Sequence, residues 1–341
     1  MSLSVTVIVP AYNAAGLVGT CLQSLLDQNH HPDDYSVVVV DDASTDNTAE
    51  VVEGFGPAFA AAGVGLQLLR QEANGGPAKA RNRGAFAASG DIVIFTDSDC
   101  ELTPDWLSEM LAPFADPEIA AVKGAYLSRQ PELGARFAQA EFEERYRMLE
   151  AAHTVDVIFS YSAAFRRDVF LSLDGFDTRF PVADNEDTDL SWRLIEARHK
   201  AVFNPRALLY HRHPSSLRQY YKKKISRGYW RVIVYRRFPA KAVKDSYTPQ
   251  SLKLQILLGY LALACLVVSV IWPGFLAAAG VLLLAFLLTT LPFAIGLFRS
   301  DPVLAVLSPV LIFGRALALG AGILMALPRV LGHEPPGSRM S

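Results

Sequence analysis

The residues best suited to chemistry fall in five short clusters. Asp97 and Asp99 stand one residue apart directly after the apolar run Ile92-Val93-Ile94-Phe95. Two carboxylates so placed at a strand tip can share a divalent cation of the Mg2+ or Mn2+ type. Asp41 and Asp42 end a second β-branched run, Val37 to Val40. A carboxylate there can accept hydrogen bonds from a base or ribose, or, with Ser44 and Asp46, cap the following helix. In Asn74-Gly75-Gly76-Pro77-Ala78-Lys79-Ala80-Arg81-Asn82, glycines precede a helix with proline at its start. That N-terminus, with Lys79 and Arg81, suits a diphosphate. Asn185-Glu186-Asp187-Thr188-Asp189 crowds acids at another helix start, where the helix dipole favours them whether they act as base or as cap. His211 and His213, in Tyr210-His211-Arg212-His213, can complete a metal shell begun by carboxylates.

These clusters need a frame that brings strand tips together. Val5 to Val9 is an apolar run ending at Pro10, and Ala14 to Gln28 has helical spacing before the run at Val37. Continuous apolar strands separated by helices predict a buried parallel sheet of βαβ units. The pattern continues with a helix near 45–54, a strand near 65–70, a helix near 77–89 and a strand at 91–96. This is a Rossmann-like half, which collects ligands at the carboxyl ends of its strands. From 97 to 210 the order is less regular, with helices expected at 104–114, 133–152 and 187–197, a strand at 120–125, and a further element at 162–173.

The chain has 341 residues, 51% apolar and 19% charged, which excludes a disordered tail or a small disulfide scaffold. Lys and Arg number 32 against 34 acids, a balance that argues against a nucleic-acid binder. Cys21, Cys100 and Cys265 are odd in number and far apart, fitting a reducing compartment rather than a paired zinc or redox site. The N-terminus has no basic n-region and does not read as a signal peptide. Leu254 to Phe298 contains no ionisable Asp, Glu, Lys, Arg or His and is broken by Trp272-Pro273-Gly274, predicting spans at 254–272 and 275–298. A third, 303–327, carries Arg315, which either faces the other helices with a partner or marks a span not fully exposed to lipid. Arg218 to Lys244 is rich in Lys and Arg, lacks acids and interleaves Tyr220, Tyr221, Tyr229, Trp230, Tyr235 and Phe238. Such a segment suits an anionic cytoplasmic interface. The expected layout is a catalytic-size domain at 1–215, an interfacial segment at 216–250, a membrane domain at 251–328 and a short tail at 329–341.

In order along the chain, Val7-Ile8-Val9-Pro10-Ala11-Tyr12-Asn13, Asp41-Asp42, Gly76 to Asn82, Asp97-Ser98-Asp99, and Asp174-Gly175-Phe176-Asp177 followed by Glu186-Asp187 resemble a family 2 glycosyltransferase. The resemblance covers roughly residues 4–215. It implies an α/β GT-A domain, Rossmann-like with a mixed central sheet, here followed by C-terminal transmembrane helices. It further implies that Pro10, Tyr12 and Asp42 hold the nucleoside with Arg81 nearby, and that Asp97 approaches ribose and metal. Asp99 then ligates Mn2+ or Mg2+, Asp187 is the general base, and His211 is the extra metal or phosphate contact, with His213 as the near alternative. The implied reaction is inverting, metal-dependent transfer from a UDP- or GDP-sugar to a hydroxyl of a lipid-linked or glycan acceptor. Its expected setting is the cytoplasmic face of the cell (inner) membrane, with membrane lipids and no nucleic acid as partners. The lack of a Gln-x-x-Arg-Trp motif and of spans before the catalytic domain points to a non-processive enzyme. The competing readings are a processive polysaccharide synthase subunit, a nucleotidyltransferase and an inactive membrane-anchored scaffold.

Overall fold

The computed structural model describes residues 3–180 and 184–332, so the expected tail lies outside the described residues from 333 onward. The chain divides into two units, one of 3–129 with 148–180 and 184–212, the other of 130–147 with 213–332.

The first unit is built on one eight-stranded mixed sheet. Its first half alternates strand and helix as the apolar runs predict: β1 Val5–Ala11, α1 Val18–Leu26, β2 Tyr35–Asp41, α2 Thr48–Gly54, α3 Gly56–Ala62, β3 Gly65–Arg70, α4 Pro77–Ala87 and β4 Ile92–Thr96. β1 runs through Pro10 rather than stopping there, and α3 is an addition to the expected pattern. β1, β2, β3 and β4 pair in parallel, and the order β3-β2-β1-β4 puts a reversal of winding between β1 and β4. Crevices at such a reversal are where open α/β sheets bind ligands. Helix α4 lies close on this half because a side chain at Gly84 would collide with Ile8 and Val40.

The second half is β5 Glu101–Leu102, α5 Trp106–Leu111, β6 Ile119–Leu127, α6 Leu133–Glu150, β7 Ser162–Arg166, α7 Arg167–Ser172, α8 Glu186–Glu196 and β8 Lys200–Tyr210. β7 joins this half to β4 in antiparallel fashion, which makes the sheet mixed. The long strand β8 is absent from the expected pattern. It pairs in parallel with β6, but Lys123 faces Phe203 while Ala125 faces Leu208, so residues 204–207, including Pro205, bulge out of the ladder opposite Gly124. Proline cannot donate to a ladder, and the run loses its strand signature there.

The second unit holds the first fifteen residues of α6 together with α9 Leu217–Arg237, α10 Pro239–Val243, α11 Gln250–Val268, α12 Phe275–Leu297 and α13 Pro302–Leu331. Helices α11, α12 and α13 are each long and apolar enough to cross a membrane, with mean hydropathies of 2.0, 2.3 and 2.1. Even the shortest would reach roughly 28 Å, close to a hydrocarbon core. The basic segment is a helix starting at a Ser216–Gln219 capping box, and it buries Tyr220, Lys224 and Gly228 at intervals of four. That stripe lies against α13 at backbone distance: a side chain at Gly228 would strike Leu319, and one at Gly322 would strike Ile225 and Tyr229. Small residues at facing positions permit this approach.

Arg315 is 4% exposed and donates to Glu141 Oε1 at 2.7 Å and to Gln255 Oε1 at 2.6 Å. Both expectations for this arginine fit: it is paired, and 44% of the apolar stretch of its helix is buried within the protein. Glu141 also accepts from the Tyr220 hydroxyl at 2.6 Å and from Lys224 at 2.7 Å, with Arg145 at 3.6 Å. One fully buried carboxylate thus ties together α6, α9 and α13.

Candidate active site

The strand tips meet as the topology requires. At the end of β2, Asp42 accepts from the backbone N–H groups of Gly75 and Gly76, each at 2.8 Å, and from the Gln71 amide. Asp42 therefore does not cap the following helix; it fixes the glycine turn before α4, whose Gly76 adopts φ 83. Capping of that region is shared by Asp41, which accepts from Ser44 N, and Asp46, which accepts from Thr48 N. After β1, Tyr12 is half exposed, and Asn13 at φ 49 accepts from the Thr45 N–H at 2.8 Å. Pro10 sits in β1 beside Val40 of β2.

Arg81, on α4, is the centre of the site's charge network. Its side chain is 3% exposed and donates to Asp97 Oδ1 at 2.7 Å and to Glu186 Oε1 at 3.0 Å. Burial opposes its charge, and the two carboxylates outweigh that cost. Glu186 is turned inward at 2% side-chain exposure; burial and neighbouring Asp187 push its carboxyl up to about 8, with Arg81 opposing. Asp187, the second acid at the start of α8, is only partly buried and accepts from its neighbour Thr188 N–H at 2.7 Å. Asn82 anchors the Asp174-Gly175-Phe176 loop by donating to Phe176 O at 2.7 Å and accepting from Phe176 N at 2.8 Å. Asp174 and Gly175 both take positive φ there.

Asp99 and His211 meet because of the unforeseen strand β8. Glu101 pairs with Tyr210, which sets His211 beside the Asp99 loop, and the His211 N–H donates to Leu127 O at 3.0 Å. His211 Nε2 lies 3.6 Å from Asp99 Oδ1. Asp99, Cys100 and His211 present ligand atoms within 4.8 Å of one another. Burial and the two nearby aspartates hold the Cys100 thiol well above its ordinary value, so it stays protonated and is a poor ligand for a hard cation. The Asp99 carboxylate is the donor that fits Mn2+ or Mg2+ here, with the His211 imidazole beside it. His213 belongs to the second unit, where it is buried against Phe142 with Nε2 3.0 Å from Gln139.

Sequence reasoning passed over Lys123, which is fully buried in β6. Its amine donates to Tyr161 Oη at 2.8 Å and lies over the rings of Phe159, Tyr161 and Phe203. Burial pushes it down to about 7, and the charge of Asp187 partly offsets that. A lone lysine inside Ala-Val-Lys-Gly-Ala is the only signal that the sequence offers for it.

Comparison with known proteins bears on the family. The chain matches the family description "Glycosyl transferase family 2" over residues 6–173 and "Glycosyl transferase family group 2" over residues 92–298. It is 31% identical over 230 residues to a pre-mycofactocin glycosyltransferase of Mycobacterium tuberculosis, covering 66% of this chain but 46% of that protein. The chain thus spans about half the length of that relative. Glycosyltransferase AglE of Haloferax volcanii is 26% identical over 58% of this chain and 64% of its own. Among solved structures, the mannosyltransferase PcManGT of Pyrobaculum calidifontis, in complex with GDP-Man and Mn2+, superposes with a TM-score of 0.63 at 26% identity. That likeness covers 96% of this chain and 88% of the other. From its sheet, its strand-tip carboxylates and these matches, the chain belongs to the family 2 glycosyltransferases of the GT-A fold.

Proposed function

We propose that this chain transfers a sugar, with inversion, from a nucleoside-diphosphate sugar to a hydroxyl of a lipid-linked acceptor at the cytoplasmic face of the cell membrane. The observation that carries this is the division of labour among the acids. Glu186 is buried against Arg81, whereas Asp187, next to it at the start of the same helix, is only partly buried. The Pyrobaculum neighbour, solved with GDP-Man and Mn2+, supports a donor of this class.

In this reading Pro10, Tyr12 and Asp42 flank the nucleoside, with Arg81 close by and Asp97 toward the ribose. Asp99, Asp97 and His211 would hold Mn2+ or Mg2+, which when bound offsets the charge of the departing nucleoside diphosphate. Asp187 accepts the proton of the acceptor hydroxyl as its oxygen bonds to the anomeric carbon and the carbon–phosphate oxygen bond breaks. Aspartate is a weak base, so the Thr188 N–H and the helix start must hold it in line. Residues 1–215 form the catalytic domain, 216–250 the basic interfacial segment and 251–328 the spans, with the lysines and arginines of α9 on the cytoplasmic side.

Calorimetric titration of the detergent-solubilised protein with UDP, GDP, dTDP and CMP, with and without Mn2+, tests the proposal. One diphosphate should bind only with the metal, and Asp99→Asn should abolish that dependence. Binding that ignores both metal and Asp99, or no binding at all, overturns the assignment.

A further inference from the structure

The second unit contains a cavity of about 320 Å³, within the range that holds small organic ligands. Much of its lining is basic: Arg145 from α6, Lys224, Arg227 and Arg231 from α9, and Lys253 from α11 all line it. Apolar side chains line it as well, among them Ile256 of α11 and Leu319 and Ile323 of α13. No carboxylate is among the described residues that line it.

The buried hub next to this cavity carries a surplus of positive charge. Arg145, Lys224 and Arg315 surround the single carboxylate of Glu141, and all four are nearly inaccessible to water. The Arg145 Nε–H is buried without an acceptor. Burial lowers the Lys224 amine to about 7 against the pull of Glu141, and Arg227 and Arg145 push the same way. The same surplus holds Glu141 well below the usual carboxylate range despite complete burial. Glu144 adds some counter-charge at Arg145, but buried cations that outnumber their counter-charges remain costly, and an anion reaching the cavity would relieve them.

We propose that this cavity binds the phosphate of an anionic lipid, its head among the basic residues of α6, α9 and α11 and its chain against the apolar faces of α11 and α13. Basic pockets between membrane helices are suited to such head groups. The apolar wall favours a lipid over free phosphate, since half of the lining would gain nothing from an inorganic ion. The proposal rests on reading α11 to α13 as spans and does not depend on the transferase reading.

The test uses the full chain in detergent, without nucleotide, and three probes: dioctanoyl phosphatidic acid, dioctanoyl phosphatidylcholine and inorganic phosphate. Phosphatidic acid should bind at least about tenfold more tightly than either of the others. Arg227→Gln with Arg231→Gln should weaken it about tenfold or more, and the corresponding lysine pair should keep most of the affinity. Equal binding of the two lipids, equal binding of inorganic phosphate, or an unchanged glutamine variant each overturns the proposal. Should the glutamine variant fail to fold, the ranking of the three probes on the parent protein decides alone. Because no nucleotide is present, failure here leaves the donor site standing, and a failed nucleotide titration leaves this cavity standing.

Discussion

Arg81 in the first unit and Glu141 in the second are buried charges with inverted surroundings. Arg81 is one cation held between two carboxylates, Asp97 and Glu186. Glu141 is one carboxylate held among three cations, Lys224, Arg315 and Arg145. With the Glu186 carboxyl pushed up to about 8, Arg81 is balanced chiefly by Asp97, whereas the cluster around Glu141 keeps a positive surplus where the proposed ligand is a lipid phosphate.

The comparison breaks first at its centres. Glu141→Gln leaves three buried cations without their counter-charge and should cost about 3–5 kcal/mol, read as a large fall in the melting temperature of the detergent-solubilised protein. Asp187→Asn should leave the melting temperature near that of the parent while lowering release of nucleoside diphosphate by about a hundredfold or more. If both substitutions behaved alike, by unfolding or by doing nothing, the division into a structural hub and a chemical site would be wrong.

A smaller effect sharpens the contrast between buried and exposed pairs. Asp301, which caps α13, accepts from Arg136 and from the Leu304 N–H, and both partners of the ion pair are partly in solvent. Asp301→Asn keeps the cap and loses only the charge, for about 1 kcal/mol or less by thermal unfolding. The smallest effect is its pH dependence. The Arg136 hydrogen bond holds the Asp301 carboxyl below its ordinary value of 3.8. Its contribution is complete above that value and fades as pH falls through the depressed one. The melting temperatures of parent and variant should therefore converge in acid, and a constant gap would count against the ion pair.

How much of this could be read in the sequence depended on the range of the interaction. Val5 to Val9, Val37 to Val40 and Ile92 to Phe95 announce themselves as buried parallel strands because each is continuous and apolar, and the acids at their tips follow from that. β8 stayed hidden because Asn204 and Pro205 break its pattern, and with it went the reason that His211 reaches Asp99. That Glu186 is buried while Asp187 is only partly buried was not legible either, since both acids fit a helix start equally well. Glu141 and Lys123 gave almost no warning: their partners lie far away in sequence, 174 residues in the case of Arg315. Only the oddity of an arginine inside an apolar run hinted at a partner.

That separation has a consequence for how the protein is made. Glu141 leaves the ribosome long before Arg315, and all three apolar helices are threaded out in the interval or with Arg315 itself. Until the last of them is inserted, Glu141 and Lys224 wait with their site unfinished and the face of α9 that fits Gly322 uncovered. Closure of the hub therefore waits on α13, since only with that helix in place can Arg315 meet Glu141.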